Sequence, residues 1–216
     1  MKKVFIFSGL GADERVFKYV TFSEFDVTFI HWICPEENET IEHYAGRLIE
    51  QIHVNRPILV GLSFGGIMAT EVAKLIDTEK IILIASAKNR QEVPFYYRFA
   101  GYFNFHKFLP TRLLKRPTRI SDWFFGVQTR EDRRMLAAIL RDTDDVFLKW
   151  AIDKIVNWRN TILHQNLKHI HGTADRILPI RFIHCDLKVT GGGHFMTVNK
   201  SIELTEKIAA LLHESL

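Results

Sequence analysis

Short apolar runs in the first 87 residues alternate with stretches of helical rhythm. Val4-Phe5-Ile6-Phe7 ends at Ser8-Gly9 and predicts a strand, followed by a helix over 13–19 and a second strand over 26–33. Thr40 then precedes Ile41, Tyr44, Ala45, Leu48, Ile49 and Ile52, apolar positions at the 3.6-residue spacing of an amphipathic helix with Thr40 as its cap. Pro57 opens a third strand, Ile58-Leu59-Val60, where a missing N–H is tolerated because it lies at the strand's start. Ile67, Met68, Val72, Ala73 and Ile76 mark the inner face of the next helix, and 80–87 is almost unbroken apolar sequence. Strands apolar on both faces with helices between them predict a parallel sheet covered on both sides.

The alternation resumes near the end. His169-Ile170-His171 closes a strand at Gly172, and Leu187-Lys188-Val189-Thr190 forms another, ending at Gly191. A last helix over 201–216 is expected to bury Ile202, Thr205, Ile208, Ala209 and Leu212. The middle differs. Thr129 with Asp132 predicts a capping box for a helix through Arg141, and Asp142-Thr143-Asp144-Asp145 puts negative charge at the start of another reaching Trp158. The part over 93–119 is aromatic, basic and broken by Pro94, Pro110 and Pro117.

Composition sharpens that contrast. Residues 88–167 hold fifteen Lys/Arg against eight Asp/Glu and fourteen of the 26 Phe, Trp and Tyr, although the whole chain carries only +4. They read as a helical lid inserted after the fourth strand of a single domain spanning 1–216. At 47% apolar and 25% charged residues the composition is that of a globular protein, with no run long enough for an integral membrane contact. Met1-Lys2-Lys3 and the four apolar residues after it read as a strand rather than a secretory signal. Cys34 and Cys185 form no close-spaced motif and read as two buried free thiols, so a cytoplasmic protein is expected.

Chemistry enters at Gly61-Leu62-Ser63-Phe64-Gly65, which follows an apolar strand and opens a helix. A sharp strand-to-helix turn of this kind lifts a serine into a strained conformation, and residues two before and two after it come too close to carry side chains. Both positions are glycine. The helix N-terminus below the serine favours negative charge developing beside it. Outside such a context the pattern marks no more than an ordinary tight turn.

With these segments in view the chain resembles a small, carboxylesterase-like member of the α/β-hydrolase superfamily, over nearly its whole length. The superfamily's order is Ser, acid, His. Ser63 matches the nucleophile, His171-Gly172-Thr173-Ala174-Asp175-Arg176-Ile177-Leu178-Pro179 is similar to the acid loop, and Gly191-Gly192-Gly193-His194-Phe195 to the histidine loop. The resemblance implies an α/β fold and a Ser63–Asp175–His194 triad. It also implies an oxyanion hole built from the N–H groups of Phe64 and of Leu10, in Ser8-Gly9-Leu10-Gly11. The first strand already carries that loop, so the two strands that usually precede it are missing and about six, mostly parallel, are expected.

Rival assignments are weaker. Asp13, Asp142, Asp144 and Asp145 are explained by helix capping, and Ala85-Ser86-Ala87 offers no carboxylate for an acid one strand earlier. His169 and His171 alternate on a strand, but lack a third ligand at metal-site spacing, and His171 is read as shaping the acid loop. His106 is expected to face solvent, with contact to a substrate as the alternative. No metal or organic cofactor is needed for the implied acyl transfer to water. Phe95, Tyr96, Tyr97, Phe99, Tyr102 and Phe103 are candidates for an apolar substrate pocket, with Phe95, Tyr96, Phe99 and Tyr102 preferred and packing within the lid as the alternative for most of them. Lys107, Arg112, Lys115, Arg116 and Arg119 read as a solvated face, with attraction of an anionic group or membrane surface as the alternative. No nucleic-acid motif is present. The expected partner is a small ester or thioester; a non-catalytic ligand-binding protein and a carbon–carbon bond hydrolase are the alternatives.

Overall fold

The computed structural model describes residues 2–214. Its strands are β1 (Lys3–Phe7), β2 (Asp26–Ile30), β3 (Ile58–Leu62), β4 (Lys80–Ile84), β5 (Leu167–Gly172) and β6 (Leu187–Val189). They form one sheet in the order β2-β1-β3-β4-β5-β6, with every neighbouring pair parallel. Six strands match the expectation, and the sheet is parallel throughout.

Period-two alternation divides each strand between two cores. Phe5, Phe7, Leu59, Ile81 and Leu83 face one side, where α1 (Ile41–Leu48) and α2 (Phe64–Val72) cover them. Val4, Ile6, Val60, Ile82 and Ile84 face the other. Between β4 and β5 the chain runs through α3 (Phe95–Tyr102), α4 (Thr111–Leu114), α5 (Arg119–Phe125), α6 (Arg130–Asp142) and α7 (Asp145–Asn157). The predicted caps form: Thr40 accepts from the His43 N–H, Thr129 and Asp132 cap reciprocally, and Asp144 accepts from the Phe147 N–H. Caps of this kind contribute about 1 kcal/mol each. Among the described residues no helix is long and apolar enough to cross a membrane.

Several boundaries move for identifiable reasons. The helix expected over 13–19 shrinks to a 3-10 turn, Glu14–Phe17, with Asp13 as its cap. β2 stops at Ile30 because side chains take over the next backbone groups. Gln51 bonds both the N–H and C=O of His31, and the Tyr44 hydroxyl bonds both those of Ile33. β4 stops at Ile84 because Ala85 turns to a φ of 47°.

After β6 come α8 (Met196–Asn199) and α9 (Ser201–His213). The α9 face expected from the sequence holds at Ile208 and Leu212, which are buried with Leu204 and Leu211, but Ile202 is exposed and Thr205 and Ala209 are only half-buried. The expected helix end at 215–216 lies outside the described residues. Beneath the sheet the buried Lys80 ammonium donates to the carbonyls of Leu211 and Glu214, capping α9, and burial pushes its pKa down. Neither cysteine is paired. Cys34 is exposed rather than buried, and Cys185 is half-buried.

Candidate active site

The strand order reverses between β1 and β3, so the loops leaving their carboxyl ends open a crevice. Ser63 leaves β3 into that crevice at φ 53° and ψ −120°, a region a serine occupies only at a cost of roughly 1–3 kcal/mol. The surroundings over-determine it. Its N–H donates to the Ile84 carbonyl at 2.9 Å, and the Ser86 hydroxyl donates to the Ser63 carbonyl at 2.7 Å. Gly65 lies so close to β1 that a Cβ there would sit 2.2 Å from the Phe7 and Ser8 carbonyl oxygens. A Cβ on Gly61 would meet the Gly66 backbone at 2.4 Å. The sharp turn thus rests on the two glycines read from the sequence.

Ser63, Asp175 and His194 come together from three loops. His194 Nε2 stands 2.8 Å from Ser63 Oγ, and Nδ1 stands 2.8 Å from Asp175 Oδ2. The other carboxylate oxygen, Oδ1, accepts the N–H groups of Ile177 and Leu178 at 2.9 Å each. Burial alone would raise the Asp175 carboxyl. The charge and hydrogen bond of His194, helped by His171 and the Leu178 N–H, outweigh burial and hold it below the usual carboxylate range. An ionised Asp175 selects the tautomer with the proton on Nδ1, which leaves the Nε2 lone pair facing the hydroxyl.

The two main-chain N–H groups expected to serve the site have no acceptor among the described residues. Phe64 is the first residue of α2, so its N–H has no acceptor within the helix. Leu10, after β1, makes no hydrogen bond through its N–H to any described residue. Its loop is pinned by the Ser8 hydroxyl donating to the Ala12 carbonyl and by Trp32 Nε1 donating to the Gly9 carbonyl.

A cavity of about 460 Å³ opens on one side of Ser63, walled by Phe64, Tyr97, Ala100, Phe105, Ile155 and Leu178 among others. A smaller one of about 160 Å³, reached by Leu10, Phe125, Leu136 and His194, lies on the other. Of the six aromatic candidates read from the sequence, Tyr97 lines the larger cavity, and the four preferred ones do not. Phe95, Phe99 and Tyr102 point outward on α3, and Tyr96 packs on Tyr97 and Phe182 without reaching the cavity. Tyr97 lines it together with Ala100, on the opposite face of the helix. His106, expected to face solvent, is buried in the wall with Nε2 2.9 Å from Asp153.

Behind the acid loop His171 takes the part read for it from the sequence, whereas Glu92 is not singled out there. His171 donates Nε2–H to the Leu178 carbonyl at 2.8 Å and so braces the loop that carries Asp175. That leaves His171 Nδ1 to accept from His169 Nε2 at 3.3 Å, and His169 Nδ1 faces Glu92 at 3.9 Å. Burial lowers the His171 pKa, and burial with the neighbouring His171 pushes His169 well below its ordinary value. Burial likewise raises Glu92. The two ring nitrogens that meet are spent on each other, so the pair does not present itself as a metal site. Glu36, Glu39 and His43 cluster elsewhere, but Arg47 bonds both oxygens of Glu39.

Residues 9–203 match the model of the family described as Alpha/beta hydrolase family. Comparison with curated proteins returns no match. Among solved structures, the bromoperoxidase from Bacillus anthracis superposes with a TM-score of 0.69 at 15% identity, covering 99% of this chain and 92% of that one. The enol-lactonase from Burkholderia xenovorans LB400 gives 0.69 at 17%, covering 99% and 92%. The meta-cleavage product hydrolase from Pseudomonas fluorescens IP01 gives 0.69 at 16%, covering 100% and 92%. At such identities the likeness speaks for the fold.

Proposed function

Because this chain belongs to the alpha/beta hydrolase family, we propose that it is a serine hydrolase that cleaves a carboxylic ester or thioester of a small to medium apolar substrate. Ser63 is the nucleophile, His194 the base and Asp175 the acid that orients it. The observation that carries this reading is the unbroken chain of two 2.8 Å contacts from Asp175 through His194 to Ser63, at the edge of an apolar cavity.

The geometry supports the following steps. Ser63 Oγ attacks the carbonyl carbon while its proton passes to His194 Nε2, and Asp175 stabilises the resulting imidazolium. The oxyanion takes the N–H groups of Leu10 and Phe64, and donors of this kind contribute about 3–4 kcal/mol each. His194 returns the proton to the leaving alcohol or thiol. Water then attacks the acyl-enzyme, giving a proton to His194, and Ser63 regains it as the acid departs. The apolar group next to the carbonyl occupies the larger cavity. Two free thiols are compatible with the reducing cytoplasm.

A binding protein without turnover requires neither an ordered acid nor a base facing a hydroxyl, so the arrangement favours catalysis. The test is labelling by a fluorophosphonate probe, with turnover measured on esters and thioesters of increasing acyl length, a lactone and a vinylogous diketone. Ser63→Ala is expected to lose both labelling and turnover. Turnover retained in that variant, or no labelling of the parent, removes the proposal. Cleavage of the diketone alone moves the reaction to carbon–carbon hydrolysis.

A further inference from the structure

The segment over 93–121 contains six Lys/Arg, eight aromatic residues and no Asp or Glu. One side of it is committed to the fold: on α3, Gly101 packs against α7 so tightly that a Cβ would lie 2.7 Å from the Val156 carbonyl oxygen. The other side is apolar and bare. Phe99, Phe103 and Phe105 form a run of rings with centroids 4.7 and 5.6 Å apart, and Tyr102 joins at 5.0 Å. Tyr102 is 78% and Phe108 82% exposed, and Leu113 on α4 is exposed as well. A helix apolar on all faces belongs where both faces are covered, and a contiguous exposed patch of this kind marks an interaction surface.

Charge identifies what covers it. Lys107, Arg112, Arg116 and Arg119 are exposed within the same segment and form no ion pair with any described residue. The carboxylates on the adjoining α7 are already matched: Asp145 by Lys115, and Asp153 by Lys154 and His106. Aromatic rings interleaved with unopposed cations are the complement of an anionic lipid surface, where rings enter the headgroup layer and cations meet the phosphates. A second copy is a poor occupant, because a two-fold interface would set these cations against themselves. Phe105 and Leu109 are half in this face and half in the wall of the 460 Å³ cavity, so the cavity beside Ser63 has its rim on the bare side.

We propose that the exposed face of 95–120 docks the protein on an anionic lipid bilayer, with the rim of the apolar cavity against the membrane interface. Docking does not depend on Ser63 chemistry; only the idea that substrate enters from the lipid does.

The test is co-sedimentation with vesicles of phosphatidylcholine alone and of phosphatidylcholine with about one-third phosphatidylglycerol, at low and at high salt. The parent is expected to partition at least about tenfold more strongly onto the anionic vesicles and to lose that preference as salt shortens the screening length. Replacing Lys107, Arg112, Arg116 and Arg119 together by Gln removes about fivefold per cation, on the order of 10²–10³-fold overall. Phe108→Ser with Leu113→Ser weakens binding to anionic vesicles by roughly tenfold or more. Neither set touches the cavity, so fluorophosphonate labelling and hydrolysis of a short soluble ester stay at the parental level and report that the variants are folded. Ser63→Ala is expected to sediment like the parent, so failure of docking and failure of the hydrolase reading are seen separately. Equal binding to both vesicle types, binding to neither, or insensitivity to both variant sets overturns the proposal. So does a dimer that the Ser variants dissolve, or retention on polyglutamate without vesicle binding.

Discussion

Replacing Asp175 by Asn changes one atom type in the proposed triad, and the hydrogen bonds decide how the amide must sit. Oδ1 receives two backbone N–H groups, from Ile177 and Leu178. Turning the amide –NH₂ toward them would set donor against donor in a buried loop, so the oxygen stays there. The –NH₂ then faces His194 Nδ1, which must become an acceptor. The imidazole proton moves to Nε2, the nitrogen 2.8 Å from Ser63 Oγ, and the base that takes the serine proton is gone. The corresponding change in a Ser-His-Asp protease lowers kcat by about 10⁴-fold. At about 1.36 kcal/mol per decade that is roughly 5.4 kcal/mol of barrier. Shape and backbone bonds are retained, so the expected variant is folded, with KM near the parental value and kcat down by about 10³–10⁴-fold. The assay is steady-state hydrolysis of the preferred ester, with fluorophosphonate labelling rates and a thermal melt on the same sample. A folded variant that labels at the parental rate and loses less than about tenfold in kcat would refute the tautomer argument.

Acidification should destabilise the fold through His169 and His171. Their folded pKa values lie below the unfolded value near 6.5, so their stability contribution is complete above that pH and is lost as pH falls toward the folded values. Two such groups give at most about 2.7 kcal/mol per pH unit in urea titrations, and the depressed Asp175 adds to the loss below about pH 4. His169→Gln should flatten the slope by about one proton, and an unchanged slope contradicts the assignment. Gly65→Ala should abolish soluble expression or labelling, because the added carbon meets backbone oxygens at 2.2 Å. Gly46→Ala, in α1 with its nearest neighbour 3.9 Å away, should instead stabilise by about 0.5–1 kcal/mol in the same melt; equal effects of the two would dismiss the packing argument. Ala100→Phe intrudes on the larger cavity and should move the acyl-length optimum toward shorter esters. The expected loss in kcat/KM is about fourfold per methylene displaced, with acetate esters unaffected. An unshifted optimum would place the acyl group elsewhere.

What could be read from the chain before its structure depends on how strongly each feature marks a pattern. β1, β3 and β4 are buried on both faces and show as uninterrupted apolar runs; Ser63 shows because close approach forces glycine at 61 and 65. Asp175 and His194 are single polar residues on loops, and no periodicity distinguishes them from Asp142 or His164. Only similarity of the surrounding segments selects them. His169, His171 and Glu92 assemble across β5 and the chain after β4, so their contact belongs to tertiary structure. The aromatic stretch yields Tyr97 but does not rank it above its neighbours, for another reason. In Phe95-Tyr96-Tyr97-Arg98-Phe99-Ala100-Gly101-Tyr102-Phe103 almost every position is apolar, so the 3.6-residue period has no polar face from which to set its phase. One residue does set it. Glycine inside a helix costs about 1 kcal/mol relative to alanine and is retained where a neighbouring backbone comes close. Gly101 marks the side against α7, which puts Tyr97 one turn earlier on the buried face and turns Phe95, Phe99 and Tyr102 outward. Read as a contact, that glycine sorts the rings of the helix into the one that lines the cavity and those on the face proposed to meet the membrane.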